Sequence, residues 1–189
     1  MPRRILSQAY FERPTLEVAR SLIGKYLVRD GEGGLRAGRI VEVEAYVGPE
    51  DRASHASRGR TPRTNVMFGP AGMAYVYLIY GMHHCFNVVT EREGFPAAIL
   101  VRAIETESPL ILIDGPGRVC RYLAIDRTLN LMDLTRGEAL WLEDRGTVVT
   151  GMDIMTAPRI GVDYAGEWAA MPWRFRLTTS GGKRQGRAK

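Results

Sequence analysis

Apolar positions recur at two different periods along the chain, and the change of period marks out its elements. Between Pro14 and Ile23 the apolar residues Leu16, Ala19, Leu22 and Ile23 fall on one helical face, and Gly24 follows. That pattern predicts a short amphipathic helix with a glycine at its end. Residues 25–28 and 35–46 then read as strands on either side of Asp30-Gly31-Glu32-Gly33-Gly34, a hairpin signature. Three more strand-like runs, residues 73–80, 84–90 and 97–104, are joined by short polar or glycine-containing links. Short links suit antiparallel pairing, because a parallel crossover needs roughly a dozen residues or more. A helix is expected over residues 117–125 and late strands over 139–142 and 174–178. Too few helices alternate with strands for a doubly wound sheet, so the expected class is α+β: a single domain with a curved antiparallel β-sheet and flanking helices. It should span residues 1–180, and the basic tail 181–189, GGKRQGRAK, is expected to be disordered. The polar loop from Ser54 to Thr64 also reads as loose.

Composition changes this picture mainly through its arginines. Lys25, Lys183 and Lys189 are the only lysines, so 23 of the 26 basic residues are arginine, against 21 acidic residues and a net charge of +5. Arginine grips phosphate in bidentate fashion but is no amine nucleophile, so Schiff-base chemistry has almost no candidate here. With 45% hydrophobic and 25% charged residues the chain has the balance of a soluble globular protein. Cys85 and Cys120 are too few for a disulfide framework, and His55, His83 and His84 give no zinc-finger spacing. Neither a metal nor a cofactor is expected. The N-terminus lacks an apolar run and no stretch approaches about 18 apolar residues, so an intracellular protein without a membrane span is expected.

Candidate acid–base chemistry lies in the strand Ile40-Val41-Glu42-Val43-Glu44-Ala45-Tyr46. Alternation sends Val41, Val43 and Ala45 to one face and Glu42, Glu44 and Tyr46 to the other. Spacing alone is equally satisfied by a solvated sheet face, where most strand glutamates sit. The neighbouring loop favours a site: His55 stands there among Arg52, Arg58, Arg60 and Arg63, a suitable edge for a polyanion. In residues 97–104, alternation puts Arg102 with Ala98, Leu100 and Ile104. An arginine enclosed in that way needs an anionic partner, either in a core ion pair or in orienting a carboxylate or a water. Tyr75 and Tyr77 share a strand face with Tyr80 opposite, and Gly81 lets the chain turn sharply to project Tyr80 or Met82. Aromatic strands are usually sheet packing, but exposed aromatics beside arginine also stack on bases or wedge between them.

Seven blocks in register carry a family resemblance: RIVEVEAYVGPEDRASH (39–55), TPRTNVMF (61–68), AYVYLIYGM (74–82), FNV (86–88), LVRAIE (100–105), GPGRVCRYLAI (115–125) and RIGVDYAGEWAAMPWRF (159–175). Together they resemble the alkyladenine, or 3-methyladenine, DNA glycosylases of the mammalian type, from about residue 8 to residue 177. The resemblance implies a monofunctional enzyme of base excision repair. Its partner would be double-stranded DNA containing a damaged purine, which is flipped out and cut from its sugar, leaving an abasic site. By the same resemblance Glu44 matches the general base and Arg102 the residue that helps hold the nucleophilic water. Tyr46, His55 and Tyr77 match the lining of the flipped-base pocket. Asn87 matches the side chain set against the purine 2-position, and Tyr80, with Met82 beside it, matches the residue that fills the gap in the duplex. Only twelve residues separate Arg102 from Gly115, where many members carry a longer arginine-rich segment, and His83-His84 stands where many carry aromatics.

Other classes fit less well. Met1-Pro2 would suit a repair enzyme using a proline amine, but Arg3 stands where an acid is wanted and a C-terminal zinc-binding cysteine set is lacking. Helix-hairpin-helix glycosylases do not suit a chain whose centre reads as strands. A non-catalytic basic module that binds nucleic acid would explain the charge and the tyrosines but not an enclosed Glu44 and Arg102. A monomer is the expectation for a protein that scans duplex DNA.

Overall fold

The computed structural model describes residues 4–178. The tail 181–189 and the C-terminal end of the expected domain lie outside them. Ten strands form one curled antiparallel sheet, with β1 (Arg4–Ile5), β2 (Tyr26–Gly31), β3 (Gly34–Val47), β4 (Ala74–Ile79), β5 (His83–Val89), β6 (Ala97–Glu105), β7 (Leu112–Asp114), β8 (Leu140–Asp144), β9 (Ile154–Ala157) and β10 (Arg174–Leu177). The main path runs β1-β8-β2-β3-β6-β5-β4; β7 adds to β6, and β10 joins β3 to β9. The α+β class is therefore correct. The predicted hairpin is present, with Gly31 opposite Gly34.

Among the described residues three short α-helices accompany the sheet: α1 (Gln8–Phe11), α2 (Thr15–Leu22) and α3 (Pro116–Tyr122). On α2 the buried stripe is Thr15, Val18, Ala19 and Leu22, while Leu16, expected on the apolar face, is exposed. Val18, Ala19 and Leu22 join Val119 and Cys120 of α3, and Leu123 just after it, against Val43, Ala45, Phe86, Val88, Ile99 and Val101 of the sheet. Those strand residues alternate with Glu44, Tyr46, Cys85, Asn87, Ala98 and Leu100, so the helices cover one face and the opposite face is left for a site.

A register shift interrupts the β3–β6 ladder at the critical place. Ile40 pairs with Ile104, Glu42 with Ala103 and Val43 with Val101, so Val41 and then Arg102 have no opposing residue. Such bulges bend a strand and re-aim side chains. Their consequence corrects one expectation: Arg102 faces the glutamates with Ala98 and Leu100, but Ile104 packs in the main core. Gly38 makes room for it, since a Cβ there would lie 2.5 Å from the Ile104 Cδ1.

The loop expected to be loose is tied down. Residues 55–58 and 65–68 form 3-10 turns, and between them the Thr64 hydroxyl accepts from the Thr61 N–H at 2.9 Å and donates to the Gly59 carbonyl at 3.0 Å. The threonine hydroxyls bond within the loop, while residues 58–63 remain exposed to solvent.

Candidate active site

Glu44 is fully buried on the face away from the helices. Its Oε1 accepts the Ile160 backbone N–H at 2.8 Å, and its Oε2 accepts the Tyr46 hydroxyl at 3.0 Å and Arg102 Nη1 at 3.3 Å. Burial raises its pKa above the ordinary carboxylate value, while Arg102, the Ile160 N–H and Tyr46 oppose that rise. The balance makes it a better proton acceptor than a carboxylate in water. Burial first, and the Glu44 charge second, push the Tyr46 phenol well above its usual range, so Tyr46 keeps its proton and acts as a donor.

Above this carboxylate opens a cavity of about 140 Å³ whose wall includes Tyr46, His55, Tyr77, Asn87, Arg102 and Tyr164. A space of that order admits an aromatic ring. Glu44 lies beneath the wall rather than on it. Tyr75 and Tyr77 contact at 5.2 Å between ring centroids, and His55 meets Tyr77 edge-on at 4.7 Å. His55 Nδ1 is 3.0 Å from the Tyr75 hydroxyl. Asn87 is buried, its Nδ2 donating to the Tyr75 carbonyl at 3.1 Å, which fixes the amide. The structure thus brings Glu44, Arg102, Tyr46, His55, Tyr77 and Asn87 together.

Tyr80 and Met82 sit apart, at the tip of the β4–β5 hairpin. The Met82 N–H donates to the Ile79 carbonyl at 3.1 Å across a turn in which Tyr80 and Gly81 have φ of 52° and 69°. Positive φ at both central positions matches the twist of a tight hairpin, at ease for Gly81 and strained for a tyrosine. The turn leaves Tyr80 85% and Met82 72% exposed.

One ion pair at the site is foreshadowed in the sequence only by the membership of its residues in two of the seven blocks. Arg159 and Asp51 are completely buried; Nη1 meets Oδ2 at 2.5 Å and Nη2 meets Oδ1 at 2.8 Å. Arg159 also donates to the Ala45 carbonyl and lies over the rings of Tyr46 (4.8 Å) and Trp173 (5.0 Å). It anchors the irregular segment after β9 and so delivers the next residue, Ile160, to Glu44. The carboxylate of Asp51 further accepts the N–H groups of Val47 and Ala53.

Surrounding atoms, and secondarily the Arg63 cation, pull the His55 pKa from 6.5 down to about 4, although the residue retains exposed surface. The ring is therefore neutral at physiological pH. The guanidinium of Arg63 lies 4.9 Å from the Tyr77 ring centroid. An NMR titration should find His55 titrating near pH 4, and Arg63→Gln should move that midpoint upward, because a like charge disfavours the imidazolium. An unmoved midpoint would disprove the Arg63 contribution.

Among known proteins, a family and several relatives match this chain. Residues 9–181 match the methylpurine-DNA glycosylase family. A protein of Anaeromyxobacter dehalogenans, provisionally named 3-methyladenine DNA glycosylase, is 56% identical over 93% of this chain and 84% of its own length. One of Myxococcus xanthus with the same provisional name is 53% identical over 93% of this chain and 91% of its own. Another, from Legionella pneumophila, is 49% identical over 92% and 94%.

Proposed function

Because the chain belongs to the methylpurine-DNA glycosylase family, we propose that it flips a damaged purine out of duplex DNA and hydrolyses its N-glycosidic bond with a water activated by Glu44. The observation that carries this reading is a fully buried carboxylate held by a phenol, a guanidinium and a backbone N–H beneath an aromatic cavity. Enclosing a charge in this way is unfavourable unless something is gained from it, and a module that only binds gains nothing.

The roles follow from the chemistry. As the base departs, positive charge develops at C1′ of the sugar; an anion nearby stabilises it and takes the proton of the attacking water. Glu44 supplies that anion. Arg102 orients carboxylate and water together, and Tyr46 holds Glu44 Oε2. Tyr77, Tyr46 and His55 enclose the purine, whose electron-poor alkylated ring gains from aromatic stacking. Asn87 excludes a purine carrying a 2-amino group. A base inside a duplex cannot enter an enclosed cavity, so extrusion is required, and Tyr80 with Met82 fills the gap. Alkylated adenines and hypoxanthine lack that amino group and are the substrates this reading expects.

No step needs an amine nucleophile. Lys25 is engaged by Asp144 at 2.9 Å and is not among the cavity-lining residues. Incubation with duplex containing 3-methyladenine or hypoxanthine should therefore release the free base and leave an intact strand at an abasic site, with no adduct on borohydride treatment. Binding without base release would favour the non-catalytic module, and a trapped adduct in good yield would exclude the hydrolytic route.

A further inference from the structure

A second buried carboxylate lies beside the site, and the chemistry assigned to Glu44 does not use it. Glu42 is 1% exposed and absent from the cavity wall, yet three arginines converge on it. Arg102 Nε lies 3.5 Å from Oε1, Arg174 Nη1 3.2 Å from the same oxygen, and Arg176 Nη1 3.1 Å from Oε2. β10 is responsible for two of them: Arg174 is opposite Glu44 and Arg176 opposite Glu42, so alternation delivers both guanidinium groups to the face of the glutamates. Arg102 comes from the β6 bulge and touches both carboxylates, Nε to Glu42 and Nη1 to Glu44.

We propose that Glu42 is a positioning residue for the reaction: neutralised by Arg174 and Arg176, it tethers Arg102 and so fixes how much of the Arg102 charge reaches Glu44. The proposal rests on Glu44 being the general base. Stability alone is a poor reason for such a cluster, since buried ion pairs rarely outperform apolar packing. Its geometry serves charge partition better. Glu42 is a like charge two residues from Glu44 and raises the Glu44 pKa, whereas Arg102 lowers it. Other groups around Glu44 are Tyr46 on its own strand, Cys85 on β5, Tyr77 on β4 and Arg159 through Tyr46, Arg174 in the opposing position of β10, and the Ile160 N–H from the segment after β9. Arg176 also reaches Asp114, at 3.7 Å.

The signs of the effects are opposite for the two kinds of removal. Without the Glu42 charge, Arg102 is left to Glu44 alone, the Glu44 pKa falls, and the base weakens. Without Arg176, the Glu42 charge is less compensated and the Glu44 pKa rises. Single-turnover excision measured against pH reads both through the acidic limb of the profile. Glu42→Gln should move that limb to lower pH by roughly half a unit to one unit and lower the plateau rate by about tenfold or less. Arg176→Gln, at a partly exposed position, should move it to higher pH. Glu44→Gln serves as reference and should leave no limb at all. A Glu42→Gln enzyme that melts normally and loses rate with its limb in the wild-type position would reduce Glu42 to packing and overturn the proposal, leaving the role of Glu44 intact. Persistence of the wild-type limb in Glu44→Gln would remove the general base itself, and the proposal with it. If Glu42→Gln does not fold, Arg176→Gln decides alone: an unmoved or downward-moved limb overturns the proposal.

Discussion

Replacing Glu44 with Gln should lower the single-turnover rate of base release by about a hundred- to ten-thousand-fold, the usual effect of removing a general base, and by more if stabilisation of the sugar cation is lost as well. Binding to damaged duplex should change little. Gln keeps the volume and an acceptor for the Ile160 N–H but removes the anion that Arg102 and Tyr46 are placed to hold. The side chain lies beneath the cavity wall, so the proposed stacking surfaces of Tyr46, His55 and Tyr77 are left in place. A gel-shift titration beside the excision assay separates the two quantities. Near-normal cleavage by Glu44→Gln, or a larger loss in Glu42→Gln, would mean that the other carboxylate is the base.

The second large effect falls on stability. Asp51→Asn should destabilise the protein by roughly 3–5 kcal/mol, because it leaves the Arg159 guanidinium charged, buried and unpaired. For a chain of this size that lowers Tm by on the order of 10 °C. The amide would also turn hydrogens toward a group that only donates. Glu50→Gln, one position earlier and exposed, is the matched comparison and should change stability by less than about 0.5 kcal/mol. Thermal melts of the two variants check this; equal Tm values would mean that the pair contributes nothing. Activity should fall in Asp51→Asn even below its melting transition, since Arg159 anchors the segment that supplies the Ile160 N–H.

Much of the site is legible in the sequence because a strand writes its faces into alternation. Glu44 and Tyr46, Tyr75 and Tyr77, and Leu100 and Arg102 each appear two apart, and each pair reaches the same cavity side. The class of fold is legible in the short links between such runs. Three things escape for physical reasons. Register is a property of a pair of strands, so the bulge that moves Ile104 to the opposite face from Arg102 leaves no mark in either segment. Strands β1, β7 and β9 have 2, 3 and 4 residues, too short to display a period. Arg159 stands in irregular chain between Pro158 and Ile160, and its importance exists only through Asp51, 108 positions earlier. Its one trace is membership of a conspicuous block, residues 159–175. The loop between Ser54 and Thr64 reads as loose because hydroxyls that bond one another have the same composition as hydroxyls that bond water.

The separation between Asp51 and Arg159 bears on how the protein comes into being. Of the two bonds that complete the site from the far side, one spans 108 positions and the other, Ile160 to Glu44, spans 116. Contacts of such high sequence separation form late, after the loops they close have been shortened by other pairings. A growing or cleaved chain that stops short of residue 158 would have the arginine-rich loop and the strained hairpin but would lack the backbone donor that seats Glu44. If Glu44 is the base, a chain lacking the segment after β9 is expected to release no base, because the donor to Glu44 and the arginine that anchors it both come from that segment.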